Sequence, residues 1–394
     1  MSLAGVLLAN TSFAQARAES LRDGLLNIAI QGPARSVGGE QVSSLVALMG
    51  LEVSTAPLGT STGGFTFTFD PQTGAVIRSS QSFGPLFAER SVTTGKGRFS
   101  AGFNILHAGY SSVADMDVEH GNLLLARNTQ AQLFPSLWGA TLDLTMSSDT
   151  LVAFTNIGVT NDLDVGVAIP WVRVSLGAEE VFVDAAGVDL EAFGRPHLRM
   201  PKTTATGIGD VAVFGKYRFW RHEDGGLSGR IEVRLPTGAE KDLRGVGVTR
   251  TLLSAIWSRG GRVAPHANIG YEIWSDDVDL TPSRGVTAKN QLRYTFGVEV
   301  QPHLRVTAVV DLVGRRLLHG GRPEYERFTF EIPDGGSFEA LVASGRALDV
   351  VSLAPGIKWN VYGNVLLTAN VLVALENRGL RADVVPVMGL DWTF

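Results

Sequence analysis

The sequence of 394 residues contains no cysteine. That excludes disulfide scaffolds, thiolate metal sites and cysteine nucleophiles, and it suits a chain that crosses an oxidising periplasm unfolded. Charge is scarce: Asp, Glu, Lys and Arg make up 19 %, below the share in an ordinary soluble domain. No apolar run approaches the roughly 18 residues of a transmembrane helix. The net charge of −5 is small and spread out, which argues against a nucleic-acid partner. Catalytic signatures are missing too. The seven histidines form no H-E-x-x-H and no pair at i,i+4 spacing. There is no G-x-S-x-G elbow, and Gly207-Ile208-Gly209 lacks a following G-K-[ST] and reads as a strand entry. The chain therefore reads as a non-enzyme with no catalytic residue, resident metal or cofactor. Asp276, Asp277 and Asp279 could offer oxygen ligands to Ca²⁺, but a solvated acidic loop is the plainer reading.

What the sequence has is alternation. In the tail, Val384, Pro386, Met388, Leu390, Trp392 and Phe394 share one side of a strand, and Val385, Val387, Gly389, Asp391 and Thr393 share the other. Period-two patterning of this kind runs from Arg98 onward. It predicts about twelve strands: 98–111, 141–160, 163–176, 209–220, 227–235, 249–257, 262–274, 290–300, 304–313, 347–360, 364–376 and 382–394. Phase slips are expected near Ser147–Asp149 and at Pro170, where a bulge would re-aim the strand. Short turns near 161, 223, 260, 302 and 362 alternate with long loops at 112–138, 177–208, 236–248, 276–289 and 317–346. Outer-membrane barrels sort their connections this way. Fourteen strands is the alternative, if 112–138 supplies another hairpin. The expected fold class is thus an all-β, antiparallel transmembrane β-barrel over residues 98–394, in a bacterial outer membrane with lipid as its surroundings. The terminal Phe394 fits the signal read by the barrel-assembly machinery.

Tryptophans support this. Trp220, Trp257, Trp359 and Trp392 lie near short turns or the tail, and Trp138 and Trp274 near long loops, as two aromatic girdles predict. Trp171 sits mid-strand and fits less well. Trp220 and Trp274 need a local slip to face lipid.

The N-terminus differs. Leu3–Ala9 is apolar and Ala14 and Ala16 make an A-x-A site, so 1–16 reads as a signal peptide cleaved after Ala16, although no Lys or Arg precedes the apolar stretch. Residues 17–97 carry helical spacing at Leu21–Ile30 and Val42–Val53, then short Thr/Phe alternations. This segment is too apolar for a free tail and is expected to form a plug or hatch in the lumen. Phe65, Phe67, Phe83 and Phe87 are its candidates for substrate contact, with plain packing as the alternative.

In a membrane barrel the charged side of each strand lines the lumen. That set is Lys216, Arg218, Arg230, Glu232, Arg234, Glu272, Arg293, Glu299, Arg305, Asp311 and Lys358. These residues define a permeation path or, more plainly, cross-strand ion pairs that stiffen the wall. His266 faces the same way and reads as a satisfied wall residue.

Three stretches carry a resemblance: T-G-I-G-D-V-A-V-F-G-K-Y-R-F (206–219), R-L-P-T-G-A-E-K-D-L (234–243) and A-P-H-A-N-I-G-Y (264–271). They resemble the outer-membrane family linked to meta-pathway phenol degradation, grouped near the FadL-like hydrophobic-compound transporters. The resemblance implies passage of hydrophobic or aromatic small molecules across the outer membrane, and it carries over no site residues. The leading expectation is passive uptake, with exit by plug movement or a lateral gap. A sealed structural barrel is the alternative, and an embedded hydrolase a distant third.

Overall fold

A computed structural model describes residues 20–31, 35–57, 59–60, 64–69, 76–78, 82–114, 116–118, 123–128, 139–183, 188–193, 197–222, 225–329, 337–376 and 378–394. The expected signal segment 1–16 and Trp138 lie outside them. Among the described residues twelve strands close into a ring. They are β1 (Phe99–Tyr110), β2 (Gly139–Gly158), β3 (Leu163–Val183), β4 (Ala212–His222), β5 (Gly225–Arg234), β6 (Arg250–Arg259), β7 (Val263–Trp274), β8 (Val286–His303), β9 (Val306–Thr329), β10 (Ser337–Tyr362), β11 (Val365–Ala374) and β12 (Val384–Thr393). Each pairs antiparallel with its neighbours in sequence. β12 returns to β1 through Val387↔Leu106 to Thr393↔Ser100, so no edge is left open. The described residues of 112–138 add no spanning hairpin. Their strand Leu123–Asn128 bridges the upper ends of β2 and β10 instead.

The outside of the ring is apolar. Ile105, Leu151, Ile169, Ile231, Leu253, Ile269, Phe296, Val310, Ile357, Leu367 and Met388 all stand exposed. The band runs from Trp392 up to Val384 on β12, and charged side chains bound it above: His107 with Asp149, Arg173, and Arg316 with Asp349. Its height is that of a transmembrane strand, about 9–11 residues. Phe394, Phe99 and Trp392 close the β12–β1 seam with ring contacts. The protein is therefore a transmembrane β-barrel of the outer-membrane type, with its apolar face toward lipid.

The strands do not slip where the alternation changes. β2 and β3 keep one register from Gly139↔Val183 to Gly158↔Asp164. What changes is the environment. Low in the wall the inward residues are mixed: Thr150, Asn156 and Asp164 share that face with Val152 and Phe154. Above the band they are apolar: Leu142, Leu144, Met146, Val174 and Leu176 pack against Leu21, Leu25, Val42, Leu45, Val46 and Met49. Those partners belong to α1 (Leu21–Gln31) and α2 (Arg35–Thr55), which fill the long-loop end of the barrel.

Trp171 thereby falls at the upper edge of the band and joins a girdle. Trp220, Trp257, Trp359 and Trp392 stand outward at the lower edge, Trp220 by means of a register shift after Arg218. Trp274 does the reverse. It is buried, packs with Leu48, Leu51 and Leu280, and donates its indole N–H to Glu272 (2.9 Å). β9 and β10 extend far past Val313 and Ala347 into the expected loop. Gly320 and Gly321 hold positive φ and absorb a register shift there rather than ending the strands.

An arginine on the outer band should be costly. Ile231→Arg is expected to destabilise the barrel by about 2–4 kcal/mol, measured by denaturant unfolding from lipid vesicles. An unchanged midpoint would contradict the lipid-facing assignment.

Candidate functional site: the lumen and its occupant

After α2 the chain descends inside the ring. From Ser82 to Thr94 its backbone crosses the wall strand by strand, and each crossing is bonded by an inward side chain. On β9, Thr307 Oγ1 accepts the Phe83 N–H (3.0 Å). Asp311 Oδ2 accepts the N–H groups of Leu86 (2.9 Å), Phe87 (2.8 Å) and Ala88 (3.4 Å). On β7, Asn268 accepts from the Glu89 N–H (2.7 Å) and donates to the Glu89 carbonyl (3.0 Å). Ser258 of β6 accepts the Ser91 N–H (2.9 Å), and Ser228 of β5 donates to the Ser91 carbonyl (2.5 Å). Lys216 of β4 donates to the carbonyls of Arg90 (3.2 Å) and Val92 (2.9 Å). Asp164 of β3 accepts the Thr94 N–H (2.9 Å). An irregular backbone is tolerated at membrane depth only when its polar groups find such partners.

Asp311 is itself held. His266 Nε2 lies 2.8 Å from its Oδ1. Both sit opposite Gly297 in the β-ladder. A Cβ at Gly297 would come within 2.0 Å of that Oδ1 and 2.5 Å of the His266 Nε2, so only glycine leaves room for the pair.

The charged side chains form several groups of ion pairs. Glu89 bonds Arg230 (2.5 Å) and lies 3.6 Å from Lys216. Glu232 links Arg230 (2.6 Å) and Arg234 (2.8 Å). Glu272 takes Arg293 (3.1 Å) and Gln291 (2.8 Å). Arg250 bonds Asp210 (3.0 Å). Arg234 and Arg250 also donate to the Ser54 carbonyl at the end of α2 (3.3 and 3.1 Å). α2 has no basic residue in its own last turn, so the wall supplies the cations that its negative end favours.

Between α2 above and the crossing segment below lies a cavity of about 190 Å³. One side carries Arg230, Glu232, Arg234 and Arg293; the other carries Leu106, Ala108, Val350, Leu372 and Val385. Phe87 reaches it from below.

The expected lumen residues divide as follows. Lys216, Glu232, Arg234, Glu272, Glu299, Asp311 and Lys358 are buried. Arg230 and Arg293 are partly buried and line the cavity. Arg218 sits at the short-turn mouth, bonded to Asp162 (3.2 Å). Arg305 corrects the expectation: it is exposed in the turn before β9, outside the lumen. Of the three phenylalanines whose side chains are described, only Phe87 lines the cavity. Phe65 and Phe83 pack edge-on (5.4 Å) against each other and Leu366. The Phe67 side chain lies outside the described residues. The rungs Asp164, Ser228, Ser258, Asn268 and Thr307 were not expected, although most share the parity of the charged residues. Glu52, Arg315 and Arg381 gave no signal, because Arg315 falls past the end of the expected strand 304–313, Arg381 just before the expected strand 382–394, and 17–97 had no register.

The Ca²⁺ alternative at the acidic loop is not built: Asp277 is taken by Lys289 (2.7 Å) and Thr287 (3.0 Å). Among the described residues, Asp189, Glu191 and His197 bring ligand atoms close together. Both His197 nitrogens are already engaged there, by Glu179 (2.7 Å) and Asp189 (2.8 Å). The Asp189 hydrogen bond pushes the His197 imidazole above its ordinary value, against partial burial and with help from Glu179.

Two outcomes follow from this geometry. Asp311→Ala removes three backbone partners at once, each charged hydrogen bond being worth about 1.5–3 kcal/mol. Hydrogen exchange of Leu86–Ala88 should rise by at least about tenfold while the barrel stays folded, and Gly297→Ala should act in the same direction. Unchanged exchange would refute the latch. A raised folded-state value for His197 stabilises the loop fully below about pH 6.5, and that contribution is lost as pH rises through the raised value. An NMR titration of His197 should therefore show a midpoint above the ordinary one, lowered by Asp189→Asn.

Among curated proteins no match is found. Among solved structures, the chain is similar to an outer membrane channel from Pseudomonas putida F1 (11% identity, TM-score 0.48, covering 77% of this chain and 98% of that one). It is similar to a Pseudomonas aeruginosa FadL homologue (11%, 0.34, 76% and 90%) and to the Pseudomonas putida toluene transporter TodX (13%, 0.25, 76% and 88%). These are likenesses in outline, and the barrel assignment rests on the ring of strand pairs. Just under half of the chain matches a family model, over strands β2 to β9. That model, described as "Putative MetA-pathway of phenol degradation", matches residues 126–316 of this outer-membrane barrel.

Proposed function

We propose that the protein is a channel for passive uptake of hydrophobic or aromatic small molecules, with residues 17–97 acting as its plug. The carrying observation is the two-faced lumen cavity, roofed by α2 and floored by the crossing segment. A ligand enters from the long-loop end, rests against the apolar wall beside Phe87, and leaves when the crossing segment shifts. The hold on that segment favours movement. Its bonds are polar and run through single side chains, so water can replace them one at a time. The helices above are held by apolar packing and stay. The family match, with its phenol-degradation description, supports an aromatic cargo. Phe394 is the residue we assign to recognition by the assembly machinery.

The second reading is a sealed barrel without transport, favoured by the buried ion pairs that fill the lumen. Uptake of a labelled monoaromatic into liposomes separates the two. Wild type should exceed empty liposomes, and Asp311→Ala should be several-fold faster. If neither exceeds empty liposomes, the barrel is sealed.

A further inference from the structure

The cavity is rich in arginine. Arg230, Arg234, Arg293, Arg315 and Arg381 line it with Glu52, Glu89 and Glu232, and Glu272 behind the lining takes Arg293. The glutamates differ in origin. Glu232 belongs to the wall and is locked between two arginines. Glu89 is bonded by Arg230 and faces Lys216. Glu52 stands on α2, and its two carboxylate oxygens face Arg315 of β9 and, at 3.8 Å, Arg381 of the loop before β12. Arg315 is 7% exposed, and its Nη1 is buried with no hydrogen-bond partner among the described residues. A buried guanidinium nitrogen without an acceptor is costly and marks a place for one. The Tyr110 hydroxyl, 3.1 Å from Ser148 Oγ, lines the same side of the cavity. Beyond lie the apolar residues Leu106, Leu372 and Val385.

We propose that this cavity seats a small organic anion, with its carboxylate on Arg315 and Arg381 and its apolar body against Leu106, Leu372 and Val385. Glu52 occupies that anion position in the resting protein. The ligand carboxylate exchanges with it, supplies the acceptor that Arg315 Nη1 lacks, and frees the end of α2 from two of its four arginine contacts. Planar bidentate recognition is what arginine does best with a carboxylate. A cavity of about 190 Å³ is below the usual range for drug-sized ligands, which limits the occupant to a single ring or a short chain. The proposal rests on the uptake reading for its meaning in the cell, but the binding it asserts stands alone.

The test is calorimetric titration of the purified full-length protein in detergent with benzoate and with its neutral isostere benzamide, near pH 7.5. Benzoate should bind at least tenfold more tightly. Glu52→Gln removes the resident competitor and should strengthen benzoate binding several-fold while leaving benzamide unchanged. Arg315→Met should abolish the preference. Equal binding of the two compounds, or no binding of either, in both wild type and Glu52→Gln overturns the proposal. Because Arg315→Met also disturbs α2, the decision rests on wild type and Glu52→Gln. Liposome uptake of an uncharged aromatic is read separately: its absence removes the channel reading and leaves the anion seat to the titration.

Discussion

Two charges deep inside the barrel, Lys216 and Asp311, are stable because the N-terminal segment supplies their partners. Lys216 and Asp311 are almost wholly buried, and an ion taken from water without compensation costs several kcal/mol. Each is compensated largely by backbone: Asp311 by three N–H groups, and Lys216 by two carbonyls with acidic neighbours at longer range. The reverse dependence holds as well. The stretch Ser82–Thr94 has no helix or ladder of its own, so its polar groups rely on the wall. Wall and occupant satisfy one another, and neither is a finished structure alone.

That mutual dependence divides the lumen by height. At the long-loop end, α1 and α2 bury Leu and Val side chains against inward-facing Leu144, Val174 and Leu176, a contact that water cannot replace. At membrane depth the backbone of the crossing segment is held by hydrogen bonds, with Phe65, Phe83 and Phe87 adding smaller apolar contacts. One chain thus has an upper part held by apolar packing and a lower part held largely by polar bonds, with the cavity at the junction. The arginines meeting α2 there, Arg234 and Arg250 on its last turn and Arg315 and Arg381 on Glu52, connect the two regimes.

Much of this was legible in the sequence. The alternation of Val384–Phe394, the sorting of short and long connections and the lower tryptophans carried the barrel, because a spanning strand has one environment per face. The same logic failed where a strand leaves the membrane. In β2 the outward face turns polar above Leu151, at Asp149, Ser147 and Thr145, which imitates a phase slip although the register never moves. Gly320 and Gly321 imitate a loop inside the long strands β9 and β10. Trp274 shows that an aromatic near an interface can point inward when helices fill the lumen. The site was less legible. Ser228, Ser258 and Asn268 are ordinary residues that matter only because the crossing segment lies over them, and no local pattern in 82–94 announces its path.

The central claim is that the crossing segment must leave the wall for cargo to pass. Ser91 Oγ and Ser258 Oγ lie 2.7 Å apart, close enough for a disulfide, and the chain has no native cysteine to interfere. The measurement is aromatic uptake into liposomes by the protein carrying Ser91→Cys and Ser258→Cys, oxidised and then reduced. The account predicts loss of uptake on oxidation and recovery on reduction. Full uptake with the segment cross-linked to the wall would contradict it.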